Sequence, residues 1–281
     1  MPRKTHEWRL RTGQLILGER TLIVAVLNVT PDSIADGGRY QDPERAVMRA
    51  EELEELGADV VEIGAESLRA GSQRVPEAEE LRRLVPVLKR LRGRLKVPIC
   101  VETYKAAVAA KAIEYGAEII KDPFALVQDP ELAKVVAHHD AGLVIQHMRG
   151  TPESWAKLPG MKDPVGTLVT ELKASLSRAV RQGVLPQRVV LDPGLGMGLR
   201  KEQNSEVIRQ LDRFFEAGAP LQVSPTGKVF VTASLIEPTF SMAVAAAVAA
   251  ILRGASVLRV HDVGAIRPAI LTADALLQAG D

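Results

Sequence analysis

Short apolar runs alternate with longer stretches of helical period along almost the whole chain. Eight runs are short, apolar and often β-branched: residues 21–27, 60–63, 98–102, 118–121, 142–147, 189–192, 220–224 and 257–260. Such runs suit strands buried on both faces, as in a parallel sheet. The stretches between them carry helical periodicity, clearest over residues 43–56, 76–91, 105–114 and 163–182. Gly57-Ala58, Gly116-Ala117, Gly218-Ala219 and Gly254-Ala255 each stand where a helix would end and a strand begin. Glycine there supplies the left-handed conformation that closes a helix. Eight strand–helix units without a linker or low-complexity segment predict one (β/α)8 TIM barrel over residues 1–281, with residues 1–20 as an N-terminal extension or cap. A doubly wound open sheet is the alternative. It usually carries a glycine-rich phosphate loop after its first strand, where this chain has Asn28-Val29-Thr30-Pro31-Asp32.

Composition narrows the function classes. The 281 residues carry 36 Lys and Arg against 35 Asp and Glu, for a formal charge of +1. That balance argues against a broad nucleic-acid surface, and 4% aromatics against a base-stacking platform. No apolar run reaches the roughly 18–20 residues that span a bilayer, and residues 242–252 read as a buried, Ala-rich helix. The polar first residues lack the apolar core of a signal peptide. The single cysteine, Cys100, excludes an intrachain disulfide and fits a reducing, cytoplasmic location. No Gly-x-Ser-x-Gly elbow exists, Cys100 has no evident histidine partner, and zinc-ligand spacing is absent around His138-His139.

A barrel of this kind places its active site at the carboxyl ends of the strands. In order, those ends supply Asn28, Thr30, Asp32, Ser33 and Asp36; Glu66, Ser67 and Arg69; Glu102; Lys121 and Asp122; His147, Arg149 and Thr151; Asp192 with the Gly196-Met197-Gly198 run; Ser224, Thr226 and Lys228; and Arg259, His261 and Asp262. Every strand delivers polar or charged groups at the same end.

Six of these stretches carry a resemblance. They are Leu27-Asn28-Val29-Thr30-Pro31-Asp32-Ser33 with Asp36-Gly37-Gly38, Ile63-Gly64-Ala65-Glu66-Ser67-Leu68-Arg69, Glu102-Thr103-Tyr104-Lys105-Ala106, His147-Met148-Arg149-Gly150-Thr151-Pro152, Leu191-Asp192-Pro193-Gly194 and Arg259-Val260-His261-Asp262-Val263. In this order and spacing the chain resembles the dihydropteroate synthases. The resemblance implies condensation of 6-hydroxymethyl-7,8-dihydropterin pyrophosphate with 4-aminobenzoate, in folate biosynthesis. It implies Mg²⁺ as cofactor, small-molecule substrates, and a homodimer paired through outer helices. It also implies roles. Asn28 contacts metal and pyrophosphate, Arg69, Arg259 and His261 face the phosphates, and Asp36 stabilises the cation left when pyrophosphate departs. Glu102, Asp192 and Arg259 fall among the pterin contacts, with Met197 against the ring face.

The pterin pocket departs from the family pattern. Glu102 stands for Asp, and Lys121 for Asn. Asn donates and accepts, whereas charged Lys only donates. Along Ser224-Pro225-Thr226-Gly227-Lys228 the family Lys falls on Thr226, with Lys228 two residues on. Leu68 replaces the Thr of the family Thr-Arg-Pro, and with Pro225 and Thr226 is expected near the 4-aminobenzoate subsite. Lys121 enters the pocket as the strand-seven Lys leaves it, and is predicted either to donate to the pterin or to pair with Glu102 or Asp192. The alternative is a divergent relative binding another pterin or phosphorylated ligand, without synthase activity.

Overall fold

The computed structural model describes residues 3–33, 37–226, 229–230 and 240–279. The chain enters through an antiparallel hairpin of β1 (His6–Arg9) and β2 (Gln14–Leu17). The barrel follows as β3 (Leu22–Asn28), α1 (Pro43–Glu55), β4 (Val60–Gly64), α2 (Glu77–Leu91), β5 (Ile99–Glu102), α3 (Ala106–Glu114), β6 (Ala117–Asp122) and α4 (Leu132–His138). It continues as β7 (Gly142–Gln146), α5 (Pro164–Arg181), β8 (Val189–Asp192), α6 (Lys201–Arg209), β9 (Gln222–Val223), α7 (Phe240–Leu252), β10 (Val257–Val260) and α8 (Val263–Gln278). The eight strands β3 to β10 pair in parallel in the order β8-β7-β6-β5-β4-β3-β10-β9, and a parallel bridge between Leu191 and Leu221 joins the two ends. The (β/α)8 barrel predicted from the pattern is the fold observed.

Local chemistry explains where elements start and stop. Asp42 and Asp163 cap α1 and α5 by accepting from Arg45 and Gly166 amides, with proline as the first helical residue in each. Gly57, Gly116, Gly218 and Gly254 have φ between +94° and +105°, the geometry expected of the Gly-Ala junctions. The strand expected over 220–224 is shorter, because Pro220 lacks an N–H and only its carbonyl joins the ladder, accepting from Leu191.

The two-residue period of the strands sorts the barrel into inner and outer faces. Val61, Ile63, Val101, Ile120, Leu143, Ile145 and Leu258 face outward into the main core with the helices. Val24, Val60, Cys100, Ile119, Val144, Val190 and Val257 face inward and form a second cluster. Trp8, Leu10 and Leu17 of the hairpin complete that cluster and plug the amino end. Trp8 is 1% exposed, and its indole N–H donates to the Arg188 carbonyl at 2.9 Å. Two residues further along the same inner faces, the lining changes character. Val60 gives way to Glu62, Cys100 to Glu102, Ile119 to Lys121, Val144 to Gln146, Val190 to Asp192 and Val257 to Arg259. The interior is therefore apolar at the amino end and polar at the carboxyl end.

Candidate active site at the carboxyl end of the barrel

An ion network crosses the polar end. Lys121 on β6 is fully buried and donates to Glu102 Oε2 on β5 at 2.5 Å. Its Nζ lies 3.9 Å from Glu62 Oε1 on β4. From β10, Arg259 Nε donates to Glu62 Oε1 at 2.7 Å, and its Nη2 reaches Glu62 at 2.5 Å and Glu102 at 3.2 Å. The strand register sets this geometry, since Glu102 and Lys121 are direct neighbours in the β5–β6 ladder. Burial works to raise the Glu102 pKa, but Lys121 and Arg259 outweigh it and hold the carboxylate below its usual range. Burial also works against the Arg259 charge, yet Glu62 and Glu102 raise its pKa.

Asp192 closes the other side. Its Oδ1 accepts from the Gly194 amide at 2.8 Å, and its Oδ2 accepts from Gln222 Nε2 at 3.0 Å and Ser224 Oγ at 3.4 Å. Burial raises its pKa against the pull of Lys121 and those donors. Asn28 ends β3 directly beside Gly64. A Cβ at Gly64 would stand 3.1 Å from Asn28 Oδ1 and 3.7 Å from Glu102 Oε1, so glycine leaves the amide oxygen room at the mouth.

The loops above are tied to each other. Arg69 Nε donates to Asp32 Oδ2 at 3.3 Å, joining the loops after β4 and β3, and Gly71 N donates to the Pro152 carbonyl at 3.0 Å. Both Arg69 and Asp32 are substantially exposed, which leaves the guanidinium able to exchange partners. His261 is exposed beyond β10, and its charge contributes to lowering the Glu102 pKa. The next residue, Asp262, caps α8 through the Ala265 amide. Beneath the second loop, Lys105 bridges Glu66, at 2.5 Å, and Glu80 of α2. His147 Nε2 meets Glu171 of α5 at 2.6 Å.

The structure thus gathers Asn28, Glu102, Lys121, Asp192, Ser224 and Arg259 at one end of the barrel. Of the two partners considered for Lys121, it takes Glu102. Arg69 and His261 stand above on loops. Met197 is half-buried in the turn after β8, where its carbonyl accepts from Arg149 N at 3.1 Å. Thr226 is half-buried at the end of the seventh loop's described part. Leu68 lines a crevice with Ser72, Phe124, Thr151 and Pro152 between the second and fifth loops. Asp36 and Lys228 lie outside the described residues. Glu62, Gln146 and Gln222 fall outside the predicted site residues, although Glu62 and Gln146 stand two positions along from the inward Val60 and Val144, and Gln222 lies on the strand adjacent to Asp192. Cys100 is buried in the apolar layer, where burial raises its thiol pKa well above normal, and so it is inert.

Mg²⁺ prefers oxygen ligands and usually keeps water and substrate phosphates. Among the described residues no group of three His, Cys, Asp or Glu could hold a metal ion. The uncharged Asn28 oxygen in the space left by Gly64 fits a single protein ligand to an ion carried in largely by a substrate's phosphates.

The fold recurs in known proteins. Residues 24–261 match the family model described as pterin binding enzyme. The chain is 36% identical over 273 residues to the dihydropteroate synthase of Synechocystis, covering 95% of this chain and 94% of that one. A crystal structure of Yersinia pestis dihydropteroate synthase with a sulfonamide drug complex superposes with a TM-score of 0.91 at 32% identity, covering 97% of this chain and 99% of that one. Burkholderia cenocepacia dihydropteroate synthase complexed with 7,8-dihydropteroate superposes at 0.84 and 30% identity, with 98% of each chain covered. A family match over residues 24–261 and relatives 30–36% identical over nearly the whole chain show that the chain belongs to the pterin-binding enzyme family as one of its dihydropteroate synthases.

Proposed function

We propose that this chain condenses 6-hydroxymethyl-7,8-dihydropterin pyrophosphate with 4-aminobenzoate, releasing pyrophosphate and 7,8-dihydropteroate. The observation that carries the reading is the shared inner face of Asn28, Glu102, Asp192 and Arg259, directly beneath loops bearing Arg69 and His261. Arg259 and the loop cations Arg69 and His261 hold the pyrophosphate, for which planar guanidinium groups are well shaped. The C–O bond to the pterin methylene breaks and its electron pair leaves with the pyrophosphate. The arylamine nitrogen forms the new C–N bond and then releases a proton. Bound Mg²⁺, held by Asn28 and the phosphates, would supply neutralisation of the leaving group's charge. Asp36 on the first loop is proposed to face the developing cation. The tied first, second and fifth loops exclude water from it. Glu102, Lys121, Asp192, Ser224, Thr226, Lys228, Met197 and Leu68 are proposed to shape the pterin and 4-aminobenzoate subsites.

The same reading carries a homodimer and a cytoplasmic location. Phe240 and Leu252 of α7 and Leu271 and Leu276 of α8 are all between 46% and 60% exposed, and support pairing through these helices. No helix among the described residues is long and apolar enough to cross a membrane.

The Glu102–Lys121 ion pair favours a second reading, in which another pterin or phosphorylated ligand occupies the mouth without synthase turnover. Calorimetry with dihydropterin pyrophosphate and Mg²⁺, followed by 4-aminobenzoate and a dihydropteroate assay, separates the two. Binding with turnover supports the synthase. Equal affinities for inorganic pyrophosphate and for the pterin pyrophosphate would replace it with the second reading.

A further inference from the structure

Most hydrogen-bonding groups in the barrel's polar layer are already committed to one another. Glu102 Oε2 accepts from Lys121 and Arg259, Glu62 Oε1 accepts from Arg259, and both oxygens of Asp192 are occupied. Gln146 is different. It is 1% exposed, and neither its Nε2 nor its Oε1 has a hydrogen-bond partner. Gln222, fully buried, has an unpartnered Oε1 as well.

The strand pattern says where these groups point. Leu143 and Ile145 belong to the outer core, and Val144 to the cluster inside the barrel. Gln146 therefore shares the inner face with Val144. The β7–β8 register sets Gln146 beside Asp192, and Gln222 Nε2 holds Asp192 from the adjacent strand on its other side. One edge of the mouth thus offers a spare amide donor, a spare amide acceptor and a further carbonyl oxygen around a fixed carboxylate. A buried carboxamide with neither group paired destabilises a fold, and an apolar side chain of equal length would not.

We propose that Gln146 is a specificity-determining residue that pairs with the polar ring edge of the heterocyclic substrate, with Gln222 holding Asp192 in place beside it. This rests on the pterin reading above. A primary carboxamide is a two-point partner for a lactam edge: its N–H donates to the ring carbonyl and its oxygen accepts from the neighbouring ring N–H. The 2-amino-4-oxopyrimidine half of a pterin carries such an edge. Glu102 and Lys121 then act from behind, as an internally neutral pair that supports the pocket rather than reading the ring.

The test replaces Gln146 by Met, close in length and apolar, in the full chain. Dihydropterin pyrophosphate should bind at least tenfold more weakly. The affinity for inorganic pyrophosphate with Mg²⁺ and the KM for 4-aminobenzoate should stay within twofold. The thermal midpoint of the ligand-free Gln146→Met protein should hold or rise. A merely structural glutamine would instead lower that midpoint and weaken every ligand together, and that result overturns the proposal. Pterin affinity unchanged within twofold also overturns it. Gln146→Ser removes the carboxamide without adding apolar volume and gives an independent reading should Gln146→Met fold poorly. Failure of the unsubstituted protein to bind dihydropterin pyrophosphate sinks the pterin reading together with this inference. Binding by that protein with an unaffected Gln146→Met sinks the inference alone.

Discussion

Replacing Lys121 by Met removes one charge from a closed network and leaves the packing nearly intact. Lys121 is fully buried, and its Nζ is 2.5 Å from Glu102 and 3.9 Å from Glu62. Met has a similar unbranched length, so the cavity term is small and the loss is electrostatic. Two carboxylates would then share Arg259, which already makes its shorter contact, 2.5 Å, to Glu62 rather than to Glu102 at 3.2 Å. Removing one partner of a buried pair typically costs about 3–5 kcal/mol, because the remaining charge is left desolvated. The loss should depend on pH. Lys121 and Arg259 hold the Glu102 pKa below 4.5, so the pair's contribution is present above pH 4.5 and disappears as pH falls through the folded-state pKa. In Lys121→Met, burial raises the Glu102 pKa instead, and the carboxyl escapes its penalty by taking a proton. The gap between the two proteins should therefore be widest near pH 7 and narrow towards pH 4. Lys121→Met/Glu102→Gln restores a balanced Glu62–Arg259 pair and should recover at least half of the loss. Urea unfolding followed by the fluorescence of Trp8 and Trp155 measures all of this. A Lys121→Met loss under about 1 kcal/mol at pH 7, or a double variant no more stable than the single, would refute the reasoning.

Asp122 gives a pH effect of opposite sign. Burial raises its pKa from 3.8 to about 6 despite accepting from the Phe124 and Leu126 amides, so its stabilising protonated form is lost as pH rises through about 6. About 2 kcal/mol should disappear between pH 4 and 7, and Asp122→Asn should lack that slope in urea midpoints; parallel profiles would contradict the assignment. Trp8→Ala should destabilise by about 3–5 kcal/mol, read by the same unfolding assay, because Trp8 fills the barrel's amino end; a loss below 1 kcal/mol would mean that the hairpin is dispensable. Gly116→Ala and Gly254→Ala both force a side chain to φ near +100°, but only at Gly254 would the Cβ also stand 2.5 Å from Phe215. Thermal melts should show roughly 1–2 kcal/mol of loss for Gly116→Ala and a larger loss for Gly254→Ala, and equal losses would show that the Phe215 ring simply moves aside.

What the sequence made readable follows from the physics of parallel strands. Buried on both faces, they appear as continuous β-branched runs, so eight were found, with residues 189–192 and 257–260 matching β8 and β10 at both ends. The hairpin was less readable. Its two strands have four residues each, and Trp8, Leu10 and Leu17 stand among Arg, Glu and Thr. Their burial comes from the barrel floor, a surface no local window contains. The site divides in the same way. Residues beyond strand ends were visible because any barrel exposes them. Glu62, Gln146 and Gln222 are hidden because they lie within strands that look apolar, yet counting two from Val60 and Val144 reaches the first two. Pairing is harder still. Whether Lys121 meets Glu102 or Asp192 depends on the stagger of strands separated by helices, and stagger is a property of the closed barrel. Once closure puts Glu102 and Lys121 side by side in the ladder, a charge on β6 stabilises the fold only with its opposite on β5. The two departures from the family pattern, each odd alone, are on this argument one compensated change, and their coupling in the double variant is the physical trace of it.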